Sequence, residues 1–292
     1  MAGEDVKMKV AVASGKGGTG KTFIATNLAR IAAEQHKVTL FDLDVEEPND
    51  HLFFPKIRLE TKPVEMMIPV VNHEVCDRCG ICSQICEYHA IITLPVQVMV
   101  FPELCHSCYG CLELCPLQAI SEGKKEIGKI HFGHQDNIEL IGGTLKISEM
   151  ATTALIRETK KFATDFGAVR IYDAPPGTSC PVIETAKDMD YVVLVGEPTP
   201  FGLHDLDLLV QVFRQVGKPF GVVVNKSVAG NTRVEDYCAE NGIEILGHIP
   251  LRSDIAHTYA SGMLAVEAIE DVRLLFEKLW ETISQKVSEA VQ

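Results

Sequence analysis

No stretch of this chain approaches the roughly 18 consecutive apolar residues that a membrane-spanning helix needs, so no span is expected. Positive charge is also scarce: 27 Lys and Arg face 40 Asp and Glu, a formal net charge of −13. A chain this acidic is poorly suited to phosphate backbones or anionic lipid, so neither nucleic acid nor a membrane is expected as a partner. The first nine residues are polar, and the first apolar run, residues 10–13, is far too short for a signal-peptide core. A cytoplasmic protein is the expectation. Compositional bias is absent as well. With 46% hydrophobic and 23% charged residues, disordered and fibrous classes are excluded, and 292 residues allow one large α/β domain or two smaller ones. A disulfide framework is missing too, because the ten cysteines are not spread along the chain. Eight lie between Cys76 and Cys115, and in a reducing compartment such crowding argues for metal.

The first 60 residues read as strand, loop, helix, strand. Residues 9–14 form a short apolar strand with β-branched Val10 and Val12, followed by a glycine-rich turn. Residues 21–34 have helical periodicity, with Ile24, Leu28, Ile31 and Ala32 on one face, and residues 38–43 form a second strand. This βαβ start belongs to a parallel sheet covered by helices. From Lys62 the pattern breaks: Pro63, Pro69, Pro95, Pro102 and Pro116 appear with the cysteines, up to a polar stretch at residues 121–129. Residues 76–91 and 105–120 repeat C-x-x-C-x-x-C-x-x-x-C and both end in Ala-Ile, which suggests one small pseudo-symmetric domain. The α/β rhythm then returns. Apolar strands are expected over 169–172, 191–195 and 220–224, and helices over 149–166, 204–216, 234–241 and 271–291. The domains are therefore placed at residues 1–61 and 131–292 for the α/β part and 62–130 for the insertion.

Gly15-Lys16-Gly17-Gly18-Thr19-Gly20-Lys21-Thr22 fits the phosphate-binding loop G-x-x-x-x-G-K-[ST], after a strand and before a helix. Glycines let backbone N–H groups wrap phosphates, and the helix start adds a positive dipole. Lys21 is placed to bridge the β- and γ-phosphates of ATP, and Thr22 to ligate Mg²⁺. The second lysine, Lys16, makes the loop resemble the variant P-loop of the MinD/ParA/Mrp and nitrogenase-iron-protein class of ATPases. That resemblance covers the whole α/β part. It implies a P-loop NTPase fold, a parallel sheet with helices on both faces, and a dimer that sandwiches two ATPs, Lys16 reaching the phosphates of the partner subunit. Asp42-Leu43-Asp44 stands where the class has its first switch. The resemblance gives Asp44 the role of orienting the attacking water and Asp42 a place in the Mg²⁺ shell, while a solvated acidic turn is the alternative, since Glu46 and Glu47 follow. Residues 171–177, Ile-Tyr-Asp-Ala-Pro-Pro-Gly, look like Walker B and the second switch, with Asp173 reaching Mg²⁺ through water and Gly177 sensing the γ-phosphate. Asn225 matches the class's adenine-reading asparagine.

The two cysteine runs resemble those of two-cluster bacterial ferredoxins, in which each run supplies three ligands to one cluster and its fourth to the other. The resemblance implies an inserted α+β ferredoxin-like domain with two [4Fe–4S] clusters, one on Cys76, Cys79, Cys82 and Cys115, the other on Cys105, Cys108, Cys111 and Cys86. Pro116 follows Cys115 as usual, whereas Glu87 follows Cys86; this departure bears on the second cluster's potential and removes no ligand. Cys238 lies on a helical apolar face and reads as packing. Cys180, just after the second switch, stays open between packing and a functional thiol or a ligand to a metal shared between subunits. His131, His134 and His204 show no metal spacing and read as surface or packing residues. The amphipathic C-terminal helix mixes Lys278 and Lys286 with Glu277, Glu281 and Glu289, unlike a basic membrane-binding tail, and is expected to pack on the sheet.

Over its whole length the chain thus resembles MinD-superfamily ATPases with an inserted two-cluster ferredoxin domain. The implied function is ATP hydrolysis that switches a dimer, with itself or a paralogue, and couples that switch to electron transfer or cluster assembly on a metallocluster partner protein. Mrp-type cluster carriers have a C-x-x-C near the C-terminus, and none is present here. Two full ferredoxin runs favour electron transfer. A positioning switch of the ParA kind is disfavoured by the acidic charge.

Overall fold

A computed structural model describes residues 8–291; residues 1–7 and 292, which the expected domain limits include, lie outside the described residues. The strands in chain order are β1 (Met8–Ala13), β2 (Val38–Asp42), β3 (Glu60–Val71), β4 (Ile91–Thr93), β5 (Val98–Val100), β6 (Ile120–Gln135), β7 (Ile138–Leu145), β8 (Val169–Asp173), β9 (Tyr191–Gly196), β10 (Phe220–Ser227) and β11 (Ile245–Pro250). The helices are α1 (Lys21–Ala32), α2 (Ile81–Ile85), α3 (Gly110–Glu113), α4 (Thr152–Lys161), α5 (Cys180–Ala186), α6 (Pro200–Val216), α7 (Arg233–Glu240), α8 (Ser253–Ala260), α9 (Ala265–Ala268) and α10 (Glu270–Val291). None of the described helices is long and apolar enough to cross a membrane. The chain forms two compact units, one of residues 1–61, 130–144 and 156–292, the other of residues 62–129 and 145–155.

The first unit is an α/β layer structure. Its strands run β11-β10-β9-β1-β8-β2-β7, each pair parallel. Residues 130–135 of β6 lie beside β7 through a two-residue turn, where Asp136 takes φ 52° as such a hairpin demands. Every residue of β2 and β9 is buried, the mark of strands covered on both faces. Alternation divides the core: Val10 and Val12 join the cluster formed with α1, α9 and α10, while Ala11 and Ala13 are buried on the opposite face. Helix α1 is buried at every position but Arg30, so its lead-in loop is held by a fixed element. Helix α10 packs Val272, Phe276, Leu279, Trp280 and Ile283 into the same core.

Some elements depart from the sequence expectation for identifiable reasons. The helix expected over 149–166 is shorter, because Thr164 takes the Phe166 N–H on its hydroxyl (3.2 Å) and donates to Glu139 (2.7 Å), drawing the chain out of the helix. Helix α6 begins earlier, at Pro200, with Thr199 accepting the Gly202 N–H at 3.0 Å. Strand β6 runs through the polar stretch taken as the end of the insertion, and residues 145–155 fall in the second unit. Among these, Ile127 accepts the Lys146 N–H at 2.9 Å, and Lys125 pairs with Glu149 at 2.8 Å.

The second unit has a small core of Ile91, Val98 and Ile120, with half-buried cysteines against it. Strands β4 and β5 pair antiparallel. Elsewhere Asn72 donates to the Ala119 carbonyl, and 29 residues on in the repeat Phe101 donates to that of Ala90, both at 2.8 Å.

Phe276, fully buried, meets Phe23 of α1 edge-on at 5.6 Å between ring centroids. Phe276→Ala is expected to cost about 3–5 kcal/mol, read as a lower denaturant midpoint.

Candidate functional site

Strand β1 ends at a loop, residues 14–20, that opens directly into α1. Gly18 and Gly20 adopt φ 78° and 95°, left-handed backbone that a side chain would strain. Space fixes two glycines as well: a Cβ on Gly15 would lie 2.2 Å from the Asp205 carbonyl oxygen, and one on Gly20 2.1 Å from the Asn225 amide nitrogen. Asn225, at the buried end of β10, donates to the Thr19 carbonyl at 2.6 Å. The α1 N-terminus carries no side-chain cap, so no capping side chain competes for its first N–H groups. Gly177, at φ 102°, donates its N–H to the Ser14 carbonyl at 2.9 Å and so brings the loop after β8 against the P-loop.

Lys21 is buried and reaches Asp173 at 3.0 Å and Asp44 at 3.7 Å; Thr22 donates to Asp173 at 2.7 Å. Lys21, Thr22, Asp44 and Asp173 are therefore one constellation, held by α1 and the ends of β2 and β8. Burial works against the Lys21 charge, but Asp173, Asp44 and Asp50 outweigh it and hold the ammonium above the ordinary lysine range. Burial, with Asp173 nearby, pushes Asp42 up to about 7, and burial pushes Asp44 up to about 6 against the pull of Lys21. Asp42 is occupied differently from its neighbours. Its carboxylate accepts the N–H groups of Asn49 (2.8 Å), Asp50 (3.0 Å) and Asp44 (3.3 Å), folding residues 42–50 into a closed loop. That loop buries Asp50, a residue the sequence reading passed over, beside Asp42 and Asp173. The donor set is all oxygen, with more carboxylate than one lysine balances, which fits Mg²⁺. Lys16 stands apart. Its ammonium lies 2.6 Å from Glu197, which also holds Lys226 at 3.1 Å. A cavity of about 270 Å³ beside the loop is lined by Gly18, Phe23, Asn225, Pro250, Arg252 and Tyr259.

In the second unit each predicted cysteine set lines its own cavity. Cys76, Cys79, Cys82 and Cys115 line one, and Cys86, Cys105, Cys108 and Cys111 the other, with the two runs crossing over. The repeat is backbone-deep: left-handed φ recurs every 29 residues, at Arg78 and Ser107, Gly80 and Tyr109, and His89 and Gln118. The Cys86 and Cys115 sulfurs each accept an N–H, from Ala90 and Ala119, at 3.2 Å. Burial and the neighbouring Cys105 and Cys108 push the Cys111 thiol up to about 11, and burial raises Cys82 and Cys105 too. Such crowded thiols ionise only against a positive core, and thiolates receiving N–H bonds suit iron–sulfur ligation. Among the described residues no group of three or more His, Cys, Asp or Glu closes around a single ion. A cubane makes no such demand, because each of its cysteines binds a different corner. All ten cysteines are free; Cys238 is buried and Cys180 exposed at the start of α5.

Residues 10–266 match the CobQ/CobB/MinD/ParA nucleotide binding domain. An uncharacterized protein of Methanocaldococcus jannaschii is 31% identical over 282 residues, 94% of this chain and 98% of that one. An iron-sulfur cluster carrier protein of Aquifex aeolicus is 26% identical, covering 98% of this chain and 70% of its own length. In fold, the chain is similar to the septum site-determining protein MinD of Pyrococcus horikoshii, solved with Mg-ADP, at TM-score 0.59 and 17% identity over 96% of this chain and 97% of that one. The chain belongs to the CobQ/CobB/MinD/ParA family of nucleotide-binding domains.

Proposed function

We propose that this protein is an Mg²⁺-dependent ATPase carrying two [4Fe–4S] clusters, which couples an ATP-driven switch to electron transfer or metallocluster assembly on a partner protein. The observation that carries the reading is the pair of cavities, each lined by four cysteines drawn crosswise from the two runs, in a chain whose other unit has a complete P-loop. The clusters, when bound, supply one-electron chemistry, and Mg²⁺ neutralises charge on the phosphates. The domains proposed are residues 1–61 and 131–292 for the ATPase and 62–130 for the cluster insert, with residues 145–155 of the ATPase part clustering with the insert.

In the ATPase the chain's own residues bind and position. The loop N–H groups and the uncapped α1 terminus cradle the phosphates. Lys21 exchanges Asp173 and Asp44 for the β- and γ-phosphates, which frees Asp44 to orient water and leaves Thr22 and Asp173 to face Mg²⁺. The base enters the cavity beside Asn225, between Phe23, Pro250 and Tyr259. Lys16 leaves Glu197 for the phosphates of a partner subunit, a second copy or a paralogue. Gly177, bonded to Ser14, couples the second switch to the loop.

A second reading, delivery of a cluster, is favoured by relatives named iron-sulfur cluster carrier proteins. Anaerobic protein with reduced clusters, offered an apo iron–sulfur acceptor or a redox acceptor with and without ATP, separates the two. ATP-stimulated electron transfer without cluster loss supports the electron-donor reading, and cluster transfer supports the carrier.

Anaerobically purified protein is expected to hold about eight iron and eight sulfide per chain; bound zinc without iron would overturn the ferredoxin reading. Lys21→Ala is expected to abolish ATP binding. Asp44→Ala should keep binding but slow hydrolysis by roughly a hundredfold; hydrolysis at the parental rate would leave Asp44 a turn residue. Lys16→Ala is expected to bind ATP as a monomer, yet to lose ATP-dependent dimerisation in solution sizing and to lose hydrolysis. A dimer that survives the substitution removes the cross-subunit role.

A further inference from the structure

Asp50 is fully buried, and neither of its carboxylate oxygens receives a hydrogen bond from an N–H or O–H donor; the group it touches is another acid, Asp173. A buried charge is kept only when paired or bound to metal. Asp50 faces Asp42 and Asp173, with Lys21 also near, but the Lys21 ammonium is engaged with Asp173 and Asp44. The Thr22 hydroxyl goes to Asp173 as well. Asp42 is the opposite case. All the contacts of its carboxylate described above are backbone N–H groups, and one of them is that of Asp50 itself. The loop thus uses Asp42 as its clasp and presents Asp50 as a carboxylate that no N–H donor holds. Glu46 and Glu47 of the same loop are exposed to solvent, so burial of Asp50 is not a general consequence of the turn.

We propose that Asp50 supplies a carboxylate to the Mg²⁺ of the nucleotide site, and that Asp42, which the family resemblance assigns to that shell, is a positioning residue that shapes the loop carrying Asp50. The proposal rests on the reading of this pocket as an Mg·ATP site. An oxygen donor aimed into a pocket of oxygen donors is the ligand chemistry of a hard divalent cation. It also accounts for a further acid buried against Asp42 and Asp173, a crowding that only a proton or a cation offsets.

Asn is nearly isosteric with Asp at both positions and separates the two roles. The test uses the full chain, purified anaerobically, with Mn²⁺ as the spin-active probe and a non-hydrolysable ATP analogue. Asp50→Asn is expected to weaken Mn²⁺ binding in the presence of the analogue by roughly tenfold to a hundredfold, the range for losing a partner of a metal site. Binding of the analogue without metal should stay within about twofold of the parent, because the phosphates are held by the P-loop. The thermal midpoint without added metal should not fall, since no N–H or O–H donor bonds the Asp50 carboxylate and the neutral amide removes an acid from beside Asp42 and Asp173. Asp42→Asn should instead accelerate amide hydrogen exchange at Asp44, Asn49 and Asp50 and lower that midpoint. A Mn²⁺ titration of Asp50→Asn that superimposes on the parent's overturns the proposal. So does an Asp42→Asn variant that loses Mn²⁺ with its loop amides still protected. Failure of the parent itself to bind the analogue would overturn the ATPase reading, an outcome distinct from either.

Discussion

The structure of the nucleotide site depends on one interaction, the contact of Asp173 with both Lys21 and Thr22. It joins the end of β8 to the first turn of α1, two elements separated by 152 positions in the chain. Both groups are buried, so the contact is made where an ion pair is strong if satisfied and costly if broken. Around it stand Asp42, Asp44 and Asp50, whose burial raises their proton affinity. The site thus holds more acid than its one lysine balances. In the proposed function that surplus would meet a cation entering with the nucleotide, and Lys21 would trade carboxylate for phosphate.

The second unit obeys the same logic with sulfur in place of oxygen. The buried cluster nearest the cysteines holds only Ile91, Val98 and Ile120. The half-buried cysteines Cys76, Cys82, Cys86, Cys111 and Cys115 pack against it, so the thiols are part of the fold's interior rather than ornaments on its surface. Metal-dependent folding is the usual solution when side chains cannot bury enough apolar area. The 29-residue recurrence of left-handed backbone positions shows that the symmetry of the sequence repeat is carried by the main chain.

Much of this was legible in the sequence, because the P-loop and the cysteine runs are local patterns whose spacing dictates geometry. Gly15 to Thr22 gave both the turn and the helix it opens, and the crossed cysteine sets follow from a known motif. What was not legible depended on long-range packing. Asp50 reads as one more acid in a turn with Glu46 and Glu47, and only the clasp made by Asp42 separates it from them. His131 carries no motif, yet it is buried beside His51 and so close to Gly142 that a Cβ there would lie 2.2 Å from its ring. The polar face of β6 concealed a strand, because alternation was obscured by lysines and glutamates that face solvent. Conversely, the start of α6 was available in Thr199-Pro200, a cap and first-turn proline, and hydrophobic periodicity alone placed it late.

An acidic chain that binds a polyanion is not a contradiction, once the length scale is considered. At physiological ionic strength charges beyond about 8 Å are largely screened, so the net charge of −13 acts on encounter and solubility more than on the bound phosphates. What the phosphates meet is local: N–H groups with no side-chain cap at the start of α1, backbone turned by Gly18 and Gly20, and a buried ammonium. Lys16 and Lys226 are both tied to Glu197, and Lys226 also donates to the Gly18 carbonyl of the loop. A lysine parked on a glutamate at the loop's edge is poised for transfer only when something offers it a denser negative charge. In the proposed dimer the phosphates of a nucleotide held by another subunit would be such a charge, which would tie the movement of Lys16 to the meeting of two loaded chains rather than to loading itself.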